Sequence, residues 1–126
     1  MKAVFPTPVP LYTEDIRALT LNWSNLPEIV SGGVITSSDM NVIGPLVTQT
    51  SGTTTTIFVD PNLTVVSEFV FANASGAVFA APTATPGTIY DIENIVTLTN
   101  ANPTTQLGYR WQIEIMGNPE GQINIP

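Results

Sequence analysis

The stretch TIYDIENIVTLTN, residues 88–100, constrains the fold more than any other part of the chain. Its side chains alternate in character. Tyr90, Ile92, Val96 and Leu98 fall on one side, and Asp91, Glu93, Thr97 and Thr99 on the other. A period of two is the signature of a half-buried strand. GYRWQIEIM repeats the pattern, with Tyr109, Trp111, Ile113 and Ile115 on one face and Arg110, Gln112 and Glu114 opposite.

Turn residues punctuate the rest at short, even spacing. SGG, Gly44-Pro45, Ser51-Gly52, Asp60-Pro61-Asn62, NASG, TATPG, ANPTTQ and GNPEG separate short apolar runs. Such spacing predicts an all-β fold, a single antiparallel β-sandwich or small barrel, Ig-like or jelly-roll-like, of about seven to nine strands. Gly44-Pro45 marks an edge or a bulge, because proline cannot donate to a central ladder. VTQT, SG and TTTTIFVD form a hairpin candidate. LTVVSEFVFA is apolar on both sides, with Leu63, Val65, Phe69 and Phe71 on one and Val66 and Val70 on the other; a strand of that kind needs a cover over its outer face.

The first 30 residues read differently. Pro6, Pro8 and Pro10 hold residues 1–12 extended. TEDIRALTLNW is ambiguous, since Ile16, Leu19 and Trp23 share a helical face while Leu19, Leu21 and Trp23 alternate; a short helical turn followed by extended chain is the expectation. The predicted organisation is an extended N-terminal arm and connector over residues 1–30, then a β-sandwich domain over 31–126. The residues expected to bind a partner are Val4, Phe5, Pro6, Pro8, Val9, Pro10, Leu11 and Tyr12 of the arm, with Trp23. On this reading residues 13–126 fold alone but lose assembly.

Composition narrows the function. Charged residues are 10% of the 126, against about 25% in an average soluble domain, and the net charge is −7. The bases are Lys2, Arg17 and Arg110 alone, too few and too scattered to displace counterions from nucleic acid or to bind an anionic membrane. There is no cysteine and no histidine. Disulfides, thiolate sites, histidine-dependent triads and most zinc or iron sites are therefore excluded. The carboxylates of Asp91 and Glu93 point the same way from one strand, a poor geometry for two-carboxylate hydrolysis. Asp39-Met40-Asn41 and Asp60-Pro61-Asn62 offer oxygens for calcium but lack the EF-hand pattern, and read as Asx turns. No catalytic, cofactor or metal residue is assigned. Prolines interrupt MKAVFPTPVP where a signal peptide needs an apolar run, and no segment approaches a membrane span.

A β-domain with one lysine, placed at position 2, has little of the usual guard on its sheet edges. Together with the arm, this predicts a subunit that binds neighbours. The chain is similar in general character to bacteriophage virion accessory proteins: capsid decoration or cement proteins, head fibres, and neck or tail components. That resemblance implies a non-enzymatic structural role in the virion, after synthesis in the host cytoplasm. Its partners would be a viral shell or tail protein and copies of itself, with no nucleic acid, membrane or cofactor. The alternative is a carbohydrate- or surface-binding β-module built on exposed Trp23, Tyr12 or Tyr90.

Overall fold

The structure, a computed structural model, describes residues 8–99 and 105–117. The described chain is all-β, with nine strands and one short helix: β1 (Val9–Tyr12), β2 (Ile16–Asn22), α1 (Pro27–Val30), β3 (Val34–Gly44), β4 (Leu46–Ser51), β5 (Thr54–Val59), β6 (Thr64–Phe71), β7 (Ala74–Ala80), β8 (Ile89–Thr99) and β9 (Thr105–Met116). Seven strands form two packed sheets, ordered β1-β9-β8-β3 and β2-β7-β6; β4 and β5 make a separate two-stranded sheet. The expected sandwich is present. Its pairings are antiparallel except that β1 runs parallel to β9.

Alternation decides the core. Along β8 every second side chain from Tyr90 to Leu98 is buried, and β9 repeats this through Trp111, Ile113 and Ile115. The opposite sheet contributes Leu19 and Leu21 from β2 and Phe79 from β7. Aromatic pairs cross between the layers edge to face. Phe79 meets Trp111 at 5.6 Å and Trp23 meets Tyr109 at 6.5 Å between ring centroids, the arrangement that ring quadrupoles favour.

A polar relay runs through this apolar interior. Trp23 Nε1 donates to Ser75 Oγ at 2.8 Å, and Ser75 Oγ donates to Asn94 Oδ1 at 2.5 Å. Asn94 Nδ2 then donates to Ser38 Oγ at 2.8 Å and to the Asp39 carbonyl at 3.0 Å. Ser75 and Asn94 are wholly buried. The relay joins β7 of one sheet to β8 and β3 of the other, and every buried atom in it is satisfied, as burial of polar groups demands.

Three sequence expectations change. Residues 16–22 are a strand, not a helical turn: β2 pairs with β7 from Ile16↔Ala80 to Asn22↔Ala74. The short helix falls later, at Pro27–Val30, inside the expected connector. The described part of the expected arm is also a strand, since Val9 pairs with Ile113 and Leu11 with Ile115. The boundary at residue 30 therefore cuts through both sheets. The physical reason is burial: Val9 and Leu11 belong to the core, where a side chain of that size gains about 1.5–3 kcal/mol.

Two substitutions check this packing. Leu11→Ala should cost about 2–5 kcal/mol of stability in chemical denaturation, the cost of emptying a core site. The same loss means that residues 13–126 alone should be destabilised rather than independently folded. Ser75→Ala leaves Trp23 Nε1 and Asn94 Oδ1 unpaired and should cost roughly 2–4 kcal/mol, at about 1–3 per orphaned group.

Candidate protein-binding surface

The predicted site residues do not gather on one surface. Val4, Phe5 and Pro6 lie outside the described residues. Pro8 and Tyr12 are half-buried, and Pro10 is exposed. Val9, Leu11 and Trp23 are interior residues of the chain's own core, so none of the three presents a side chain for a partner. Trp23 is held there by its hydrogen bond to Ser75. Tyr90 is equally buried, which leaves Tyr12 alone of the three aromatics proposed for a glycan platform with any exposed surface.

The two sheets have different outer faces, and register shows why. On β2-β7-β6 the outward rows are Ile16–Ala80–Thr64, Ala18–Val78–Ser67, Thr20–Gly76–Phe69 and Asn22–Ala74–Phe71. None of these twelve residues is charged. Phe69 and Phe71 stack obliquely at 5.8 Å between centroids, and Ile16 and Phe71 remain 75% and 59% exposed. Gly76 is essential to this surface. A Cβ there would meet the Leu19 carbonyl of β2 and come within 2.6 Å of Phe69 Cζ, so only glycine lets the Phe69 ring lie across the sheet. Phe69 and Phe71 belong to the strand whose composition asked for a cover. None of the described residues covers the Phe71 side of it.

The outer face of β1-β9-β8-β3 carries the charge. Glu93 accepts from Arg110 Nε at 3.1 Å and Asp91 accepts from Gln112 Nε2 at 2.8 Å, each across the β8–β9 ladder. These partners occupy the two carboxylates in cross-strand pairs, the ordinary way a solvated sheet face is stabilised. An open depression of about 540 Å³ lies beside them, lined by Ile43, Asp91, Arg110, Trp111 and Gln112. The calcium candidates resolve into local structure. Asp60 Oδ1 accepts from the Asn62 N–H at 2.9 Å, an Asx turn, whereas Asp39 and Asn41 lie within β3. Among the described residues no group of three or more histidines, cysteines or acids could hold a metal ion. No helix there is long and apolar enough to cross a membrane.

Among the described residues one titratable group is strongly perturbed. Burial first, and then the neighbouring Asp60 carboxylate, raise the Tyr90 hydroxyl above the ordinary tyrosine pKa of 10.0. Its oxygen is buried and makes no hydrogen bond of good geometry.

Sequence reasoning missed the charge-free face because it exists only once β2 is paired with β7, more than 50 residues away along the chain. The available signal was LTVVSEFVFA, but its sides are not those of a straight alternation: the bulge between Val65 and Ser67 leaves Leu63 and Val65 against the core and turns Phe69 and Phe71 outward. No known family model matches the chain, and comparison with curated proteins finds no match.

Two outcomes follow. Gly76→Ala should destabilise the fold by about 1–3 kcal/mol through overpacking against β2 and Phe69, read by thermal unfolding. Tyr90→Phe should change stability at pH 7 by less than about 1 kcal/mol, because the lost hydroxyl makes no good bond. Above pH 10 the unfolded chain ionises this tyrosine while the folded chain keeps its proton, so native stability falls as pH rises. Tyr90→Phe should flatten that fall in unfolding measured across pH 9–11.

Proposed function

We propose that this chain is a non-enzymatic structural subunit that acts by binding neighbouring protein subunits in a large assembly. The observation that carries the reading is the charge-free outer face of β2-β7-β6, which no described residue covers at Phe71 and Ile16 and which also carries Phe69. Depletion of charge and enrichment of aromatics mark the central part of protein interfaces. The opposite sheet face, with Asp91, Glu93, Arg110 and Glu114, has the make-up of a solvated surface.

Size refines the proposal. Three strands of about seven residues span roughly 14 by 24 Å, about 340 Å². That is within the range of functional apolar patches but well under the roughly 800 Å² per partner of a stable pairwise interface. A contact of this size holds through repetition, as multivalent lattices do. A virion supplies that setting. We place the protein among capsid decoration or cement proteins, or head-fibre, neck or tail components, with a shell or tail protein and copies of itself as partners.

Phe71→Asp introduces charge into the face at an exposed position. The wild-type chain should sediment with high-mass particles from its source cells. The Phe71→Asp chain, folded by circular dichroism, should leave that fraction. A wild-type chain found only as free monomer, or a variant that remains in the particle fraction, would overturn the reading.

A further inference from the structure

The outer face of β2-β7-β6 changes character at one end. Its first row, Ile16–Ala80–Thr64, borders a groove of about 520 Å³ lined by Thr13, Glu14, Asp15, Ile16, Ala80 and Pro82. Ile16, Ala80 and Pro82 give the groove an apolar wall. Glu14 and Asp15 stand in the turn between β1 and β2. A face without charge therefore ends, at this rim, in two adjacent acids.

Among the described residues no ion pair neutralises that rim; the pair present joins Arg110 to Glu93 on the opposite sheet. Glu14 is exposed. Asp15 Oδ2 accepts the Tyr12 N–H at 3.1 Å, which fixes the turn and leaves the charge in place. Arg17 follows two residues later but lies opposite Phe79, on the inner side of β2. Its Nη1 donates to the Pro10 carbonyl at 3.1 Å. The rim is negative, and the face behind it is neutral and apolar.

We infer that the groove receives a basic side chain, lysine or arginine, of a different protein whose uncharged segment lies along the β2-β7-β6 face. The inference rests on the structural-subunit reading and names the chemistry of the partner. Charge complementarity selects this occupant, because opposite charges steer encounter and fix register while like charges facing each other are penalised. Another copy of the chain is a poor source of the base. Each copy carries −7 and has Lys2, Arg17 and Arg110 as its bases. Arg17 is bonded to the Pro10 carbonyl and Arg110 to Glu93. Residues 118–126 contain Glu120 and no base, so charge does not favour that segment either. The aliphatic stem of a lysine or arginine suits the wall of Ile16, Ala80 and Pro82 while its head reaches the carboxylates, the usual packing of long basic side chains. The contact also orients the partner, with its base at the Ile16 end and its uncharged part toward Phe71. One exposed pair changes affinity only about two- to fivefold; repetition over many copies amplifies it.

Glu14→Lys reverses the rim at an exposed position, and Glu114→Lys makes the same change of net charge on the opposite sheet. With both folded by circular dichroism, Glu14→Lys should lower retention in the high-mass particle fraction at least about tenfold, as charge reversal repeated over a lattice dictates. Glu114→Lys should stay near wild type. Carbodiimide, which joins a carboxylate to an amine in direct contact, should link Glu14 or Asp15 in wild-type particles to a lysine of another protein, read by mass spectrometry. Selective loss without a link also supports the proposal, with arginine as the base. Lys2 is the chain's one lysine, so a link to Lys2 names this chain as the occupant and overturns the proposal. Retention of Glu14→Lys at the wild-type level, or equal loss in both variants, overturns it too. If Phe71→Asp still leaves the particles in that case, the structural-subunit reading survives and the basic partner alone fails. A wild-type chain found only as free monomer removes both.

Discussion

The relay from Trp23 through Ser75 and Asn94 to Ser38 and the Asp39 carbonyl sets the alignment of the two sheets. Apolar side chains tolerate sliding, because dispersion and burial have little directional preference. A buried hydroxyl and amide do not, since a slip of one residue would strand them without partners in low dielectric. Ser75 on β7 and Asn94 on β8 meet only when β2-β7-β6 lies over β9-β8-β3 in this registration. The relay also fixes the indole of Trp23, and with it the T-shaped contact to Tyr109. The chain beyond β2 is tied down at the same place, where the Trp23 N–H donates to the Asn73 carbonyl.

From that alignment the asymmetry of the surfaces follows. Once Leu19, Leu21, Ala77 and Phe79 face inward, the intervening residues of β2 and β7 must face out, and those are small, apolar or uncharged. Once Tyr90, Ile92, Trp111 and Ile113 face inward, Asp91, Glu93, Arg110 and Gln112 must face out. The acids among the described residues are thereby sorted away from one broad face. The few inward charges, Arg17 and Glu68, sit on edge strands, where their head groups reach the backbone of β1 and β3 in the opposite sheet. The scarcity of lysine does not leave the sandwich unguarded; other devices protect its edges.

Local pattern carried the sequence reading where one strand's period was clean. β8 and β9, the Ser51-Gly52 turn, the break at Gly44-Pro45 and the Asx turn at Asp60 were all legible. β2 was not, because Ile16, Leu19 and Trp23 imitate a helical stripe while Leu19, Leu21 and Trp23 make the true alternation. The arm misled for a related reason. Prolines declare extended backbone, but they do not say whether the extended chain joins its own sheet. Asn94 occupies an inward slot of a perfect alternation, so its burial was readable; its partners, Ser75 and Ser38, were not, because contacts between distant strands leave no local trace. The charge-free face was invisible for the same cause.

The parallel pairing of β1 with β9 has a mechanical consequence. Val9 lies against Ile113 and Tyr12 against Met116, so the first and last described strands run side by side in the same direction. Force carried along the chain into Val9 and out of Met116 acts along the strand axes in opposite senses. It loads the ladder bonds together, in shear, rather than peeling them apart one by one. Traction would thus meet its resistance at the outset, at the rim where chain enters and leaves, and the interior layers would feel it only after that clamp had yielded.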